Sequence, residues 1–345
     1  MGDAGEPLAL LADFLDAHGL AGEPAAQTGR AQVALLIGAV ACARIGAVPA
    51  GATTPVPAVP ELVAVALGEQ VAAPDGRPEV GEWRTSWSDA EHAAAVSAVR
   101  EAIARGDVYQ ANVVGHRSAR HASAPAALAA AVARVPAAYA GWIAHEGWAV
   151  GTASPEQLVQ VRGSRITTRP IKGTRAAAPG APDALRASGK DRAEHVMIVD
   201  LERNDLARVA RTGSVEVEQL YDVAEWSGLW HAHSTVAAEL APGVGVVDVL
   251  RAVLPGGSVT GAPKHAACRL LAGLEPVGRG PAMGAFGLLT ATSLDLGLTI
   301  RTVAADADQV HLWAGGGITW GSDPAQEVAE AHAKAAPVLR ALADR

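Results

Sequence analysis

The sequence predicts a mixed α/β fold (α+β in arrangement), one large domain preceded by a short leading subdomain. Three observations carry this expectation. Half of the 345 residues are apolar and only 19% are charged, enough for a sizeable core. Helical hydrophobic spacing and strand-like runs alternate irregularly along the chain, without the regular beat of βαβ repeats. Caps and glycines punctuate several of these stretches.

The elements follow in order. Residues 1–85 are rich in Ala, Pro and Gly, and Pro55, Pro57 and Pro60 break any long element, so short strands or helices are expected there. No motif in that stretch carries chemistry. From Ser88 the pattern sharpens. Ser88 and Glu91 form a capping box, and Val96, Val99 and Ile103 recur at helical spacing until Gly106. Strands are predicted over 108–114, 147–153, 157–161, 164–168, 298–304 and 309–314. Helices are predicted over 190–205, 246–253, 263–274 and 324–342. The last has a clear start, with Asp323 as N-cap, Pro324 in the first helical position and Gln326 completing the box.

Charge and composition exclude several classes. The chain carries 28 Lys and Arg against 36 Asp and Glu, so it lacks the basic face of a nucleic-acid binder. Cys42 and Cys268 are too few for a disulfide framework. The N-terminus is acidic where a secretory signal is basic. The apolar run 33–43 is too short to span a bilayer, and a cytoplasmic protein away from membranes is expected. Only four of the basic residues are lysines, at 172, 190, 264 and 334. Burial can turn a lysine into a neutral nucleophile, which it cannot do to an arginine.

Two glycine-rich segments stand out. Residues 255–264 (PGGSVTGAPK) miss the phosphate-loop spacing, and 314–317 (AGGG) miss the dinucleotide pattern. By themselves both read as tight turns whose bare N–H groups suit an anion. Glu327 and Glu330, three apart, project from one helix face, ordinarily a solvated one. His231 and His233 share one side of a strand, but no third ligand at zinc spacing accompanies them. Oxygen ligands from Glu194 with Glu327 or Glu330 would suit Mg²⁺. Residue chemistry alone stops at an α/β enzyme for an anionic substrate.

Eight blocks together resemble the chorismate-utilising enzymes, the family of anthranilate synthase component I, aminodeoxychorismate synthase component I and the isochorismate and salicylate synthases. They are 106–112 (GDVYQAN), 154–156 (SPE), 169–175 (RPIKGTR), 194–205 (EHVMIVDLERND), 231–236 (HAHSTV), 255–264, 300–302 (IRT) and 314–335. They occur in the family's order. The resemblance implies a single chorismate-binding catalytic domain over 86–345, with two sizeable β-sheets flanked by helices. It also implies Mg²⁺ held by Glu194, Glu327 and Glu330, and substrate contacts from Arg301, Thr260, Gly315, Gly316, Gly317 and Gln110. Lys172, Glu156 and His231 fall at its catalytic positions.

Two positions discriminate within the family. The water-adding isochorismate and salicylate synthases carry a lysine base where this chain has Gln110, and glutamine takes no proton at neutral pH. Lys172 resembles the lysine of aminodeoxychorismate synthases, where anthranilate synthases carry alanine. The implied reaction converts chorismate and ammonia to 4-amino-4-deoxychorismate, en route to para-aminobenzoate and folate. The ammonia comes from a separate glutamine amidotransferase subunit, since no amidotransferase signature occurs here. The rivals are an anthranilate-type or other aminating enzyme and a non-catalytic homologue; the latter should lack the glutamates or Lys172. The leading region is shorter than is usual in the family, and no motif for a tryptophan pocket is seen in it.

Overall fold

The computed structural model describes residues 6–22, 32–68, 74, 76–176, 178–226 and 229–343. The first third of the chain forms α1 (Pro7–Ala17), β1 (Val33–Ile37), α2 (Ala39–Ile45), β2 (Leu62–Ala66), β3 (Arg84–Thr85), α3 (Asp89–Ala104) and β4 (Gln110–Arg120). Then come α4 (Pro125–Ala133), β5 (Tyr139–His145), β6 (Trp148–Ser154), β7 (Gln157–Arg162), β8 (Arg165–Arg169), β9 (Ile171–Ala176), α5 (Ala181–Ala187) and α6 (Gly189–Ala207). The remainder is β10 (Glu216–Trp226), β11 (Leu229–Glu239), α7 (Val246–Val253), α8 (Gly257–Thr260), β12 (Gly261–Ala262), α9 (Lys264–Leu274), β13 (Ala285–Leu289), β14 (Ser293–Leu298), β15 (Thr302–Ala305), β16 (Gln309–Ile318) and α10 (Pro324–Leu342).

Among the described residues the strands build two sheets. One has nine strands in the order β10-β11-β8-β7-β14-β13-β1-β2, with β9 on β11. The other has seven, in the order β12-β4-β16-β15-β6-β5, with β3 on β4. The ladders that set these orders are antiparallel, a point that hydrophobic pattern left open. One apolar cluster joins the sheets, taking Leu158, Val159 and Leu296 from the larger and Val114, Val150 and Trp313 from the smaller. A second cluster packs α4 and α10 on the far face of the smaller sheet through Leu128, Val132, Leu312 and Val338.

The leading segment, expected as a short subdomain, places strands in both sheets. All five residues of β1 are buried, and β1 pairs with β13 on one side and β2 on the other. β3 pairs with β4.

Local signals set the helix starts. Ser88 Oγ accepts the Glu91 N–H at 3.2 Å while the Glu91 carboxylate accepts the Ser88 N–H at 2.6 Å, closing the capping box on α3. Asp323 Oδ1 accepts the Gln326 N–H at 3.0 Å, and Pro324 opens α10.

Two strand expectations are corrected. The run 298–304 is not one strand: β14 ends at Leu298, β15 begins at Thr302, and Arg301 between them has φ of +50°. An apolar run reads as continuous whether or not its backbone turns within it. The strand expected over 309–314 continues through the glycines to Ile318, because Gly315, Gly316 and Gly317 pair with Val114, Val113 and Asn112. That segment is sheet where a turn was the plainer reading. Likewise 255–264 folds as α8, β12 and the first residue of α9.

Candidate active site

A cleft of about 1040 Å³, its open mouth included, lies among β9, α6, α8, β16 and α10. Of the residues singled out in the sequence, Lys172, Glu156, His231, Arg301, Gly315, Gly317, Glu194, Glu327 and Glu330 all line it. Gln110, Gly316 and Thr260 do not.

A bulge aims Lys172. On β11, His231 and His233 are two residues apart, but their partners on β9, Thr174 and Ile171, are three apart. The extra residue falls at Lys172-Gly173, where Gly173 adopts φ of +81°. Such a bulge turns a side chain off the regular pleat, and glycine takes the left-handed angle without a Cβ penalty. Lys172 Nζ donates to the Ser258 carbonyl at 3.1 Å. Burial pushes its pKa below the ordinary lysine value; the charge on Glu156 opposes this and Lys334 adds to it.

Glu156 is 4% exposed. Its carboxylate accepts the Ile171 N–H at 3.1 Å and the Ser258 hydroxyl. Burial raises its pKa, outweighing Lys172 and those hydrogen bonds. Ser258 therefore holds both groups, one through its carbonyl and one through its side chain. An amine made less basic and an acid made weaker face one cleft, as a nucleophile and a proton donor require.

His231 is the histidine of the 231–233 pair that lines the cleft; it shares a hydrogen bond with Thr174 Oγ1 at 2.9 Å. Burial, helped by Arg301, lowers its pKa to about 4, so the ring is neutral at pH 7. Arg301 holds its guanidinium in the cleft from a left-handed backbone, a conformation that costs a non-glycine residue about 1 kcal/mol or more and clusters at functional sites.

Three expected contacts look different in the fold. Thr260 donates its hydroxyl to the Gly256 carbonyl at 2.8 Å within its own short helix and does not face the cleft. Gly316 packs behind the acids: a Cβ there would lie 3.3 Å from Glu327 Oε2 and 3.7 Å from Glu330 Oε1. Gln110 is fully buried, its amide pressed against Gly317. Neither of its polar side-chain atoms has a hydrogen-bond partner among the described residues.

The geometry meets its counterpart in known proteins. The family of chorismate binding enzymes matches residues 48–340. The chain belongs to this family. It is 40% identical over 273 residues to anthranilate synthase component 1 of Streptomyces coelicolor, covering 75% of this chain and 53% of that protein. It is 34% identical over 281 residues to aminodeoxychorismate synthase component 1 of Bacillus subtilis, covering 79% and 60%. The chain thus spans a little over half the length of these relatives. Among solved structures, anthranilate synthase component I from Streptococcus pneumoniae superposes with a TM-score of 0.80 at 24% identity, covering 97% of this chain and 86% of that one, which shows a shared fold.

Sequence reasoning missed two members of the family's cleft in this chain. Ser258 lay inside a quoted block but carried no role. Lys334 lines the cleft, pairs with Glu330 at 2.7 Å and donates to the Gly315 carbonyl at 3.0 Å. Its signal was available, since it is one of four lysines.

The acidic donors suit a hard cation in kind. Glu327 and Glu330 converge over Gly316, and Glu194, whose Oε1 accepts the Thr319 hydroxyl at 2.9 Å, shares their cleft. Among the described residues no three acidic or imidazole side chains gather tightly enough to hold a metal unaided. Mg²⁺ commonly takes one or two carboxylates and completes its shell with water and substrate, so this oxygen set fits it.

Proposed function

We propose that the chain is an aminodeoxychorismate synthase component I, converting chorismate and ammonia to 4-amino-4-deoxychorismate in the cytoplasm. The observation that carries this is the Lys172 amine, bulged into the cleft, made less basic by burial and sharing Ser258 with the Glu156 acid. Ammonia at neutral pH is mostly ammonium, which supports a separate glutamine amidotransferase subunit as its source. Component 1 in the relatives' names supports the same division.

Lys172 Nζ, unprotonated, attacks ring C2 of chorismate. Both ring double bonds shift, C1=C2 to C1=C6 and C5=C6 to C4=C5, and the C4–O bond breaks. Glu156 gives its proton to the departing hydroxyl, which leaves as water. The lysine adduct sheds a proton to Glu156, ammonia adds at C4, both double bonds shift back and the C2–N bond breaks, with a proton from the new C4 ammonium going to the departing Lys172 nitrogen. Arg301 suits the enolpyruvyl carboxylate by its fork. Neutral His231 suits a position beside the ring. Glu194, Glu327 and Glu330 would hold Mg²⁺, which when bound supplies positive charge for the ring carboxylate. Gln110 at the position of a water-activating lysine weighs against hydration as the outcome.

The relative from Streptomyces coelicolor, at 40% identity, favours a second reading, anthranilate synthase component 1. Chromatography of products from chorismate, ammonium salt and Mg²⁺ separates the two. The first reading expects 4-amino-4-deoxychorismate, lost with Lys172→Ala; anthranilate as the product, undiminished in Lys172→Ala, would overturn it.

A further inference from the structure

The Glu327 and Glu330 carboxylates already have a positive charge beside them. Lys334 lies one helical turn after Glu330 on α10, and its ammonium is 2.7 Å from Glu330 Oε1. A Cβ on Gly316 would lie 3.4 Å from Lys334 Nζ, beside its contacts with Glu327 Oε2 and Glu330 Oε1. The ammonium and both acids therefore crowd one spot on the floor of the cleft. A second anchor, the Gly315 carbonyl at 3.0 Å, keeps Nζ there.

We propose that Lys334 is a built-in competitor for the divalent cation: it neutralises Glu330 when no metal is bound and must be displaced for a metal to use that carboxylate. This rests on reading Glu194, Glu327 and Glu330 as the cation's ligands. Two positive charges cannot share one carboxylate oxygen at contact distance without strong repulsion. Displacement is cheap because the pair is partly exposed, with Glu330 54% and Lys334 35% accessible in their side chains. It also couples two events. An anionic substrate group that draws the ammonium away from Glu330 frees the carboxylate for the metal, so each tightens the other's binding.

Isothermal titration of Mg²⁺ alone into the metal-free chain tests this, with wild type, Lys334→Met, Lys334→Gln, Glu330→Gln and the Glu330→Gln/Lys334→Met double variant. Circular dichroism confirms that each is folded. Both single lysine variants are expected to bind Mg²⁺ more tightly than wild type, by roughly 1.5- to 5-fold, the range for a partly exposed ion pair. With Glu330 removed, the lysine substitution is expected to bring no further gain, since the coupling runs through that carboxylate. Binding to wild type with equal or weaker affinity in both lysine variants overturns the competition and leaves the metal reading standing. Absence of Mg²⁺ binding in every form overturns both.

Discussion

Alanine at Gly315 and at Gly317 is expected to fail in opposite ways, although the two are separated by one residue of β16. At Gly315 the new methyl would overlap the Val113 carbonyl oxygen on the paired strand, well inside the 3.4–4 Å of ordinary contact. Backbone cannot swing aside, so β4 and β16 must separate locally by more than about 1 Å. Overpacking of this kind costs about 1–3 kcal/mol. Removing a strand glycine returns about 0.5–1 kcal/mol of backbone entropy, leaving a net loss of about 1–2 kcal/mol. With an unfolding entropy of about 2.1 cal/mol/K per residue over the 345 residues, that lowers Tm by about 1–3 °C. At Gly317 the methyl meets only the end of the Gln110 amide, a flexible side chain, and then Lys172 Nζ at 3.5 Å. Gln110 rotates away, so Tm should stay within about 1 °C. Turnover should fall by roughly 10- to 100-fold, because small misplacements of reacting groups are costly. Differential scanning fluorimetry and product formation from chorismate read the two effects. Equal loss of Tm in both variants, or wild-type turnover in Gly317→Ala, would refute this account of the strand.

Three other predictions follow from buried charge. Burial lowers the pKa of His231 and His195 to about 4 and of His116 to about 3, so the fold prefers them neutral. Their stabilisation is full above about pH 6.5 and is lost as pH falls toward 4, where the unfolded chain takes up protons first. Each is expected to remove up to about 2 kcal/mol by pH 5, read as a falling urea midpoint from pH 7 to 5; a flat midpoint would contradict it. Lys264 Nζ pairs with Asp205 at 2.5 Å beside buried Glu202, whose pKa is raised to about 8 chiefly by burial and then by Asp205. Lys264→Met should cost about 3–5 kcal/mol, since it strands a buried carboxylate, and the loss should shrink at low pH as Asp205 takes a proton. A pH-independent loss would exclude charge as its cause. Glu156→Gln keeps the shape of the acid without its proton. It should cut turnover by about 10²–10⁴-fold with little change in KM; a drop confined to KM would remove Glu156 from the chemistry.

Where the signal was local, the sequence was legible. The capping box at Ser88 and the N-cap at Asp323 lie within one helical turn, and α7 and α10 end where their spacing says. The ladder partners were not legible. β1 meets β13 across most of the chain, and no property of VALLI names that partner. The same limit split the run 298–304, since Leu298 before the turn at Arg301 and Val303 and Ala304 after it are all buried.

The candidate site divides along the same line. Residue types in fixed order were enough to name Lys172, Glu156, Glu194, Glu327 and Glu330 as candidates, and all five line the cleft. Only the tertiary structure brought Lys334 onto Glu330 beside the Gly315 carbonyl, turned Thr260 inward and left Gln110 buried against Gly317. It also decided the proton affinities, since the low basicity of Lys172 and the weakened acidity of Glu156 come from water being excluded by α8, β9 and β16 together. Sequence names the groups; their free energies depend on neighbours that are close in space and far along the chain.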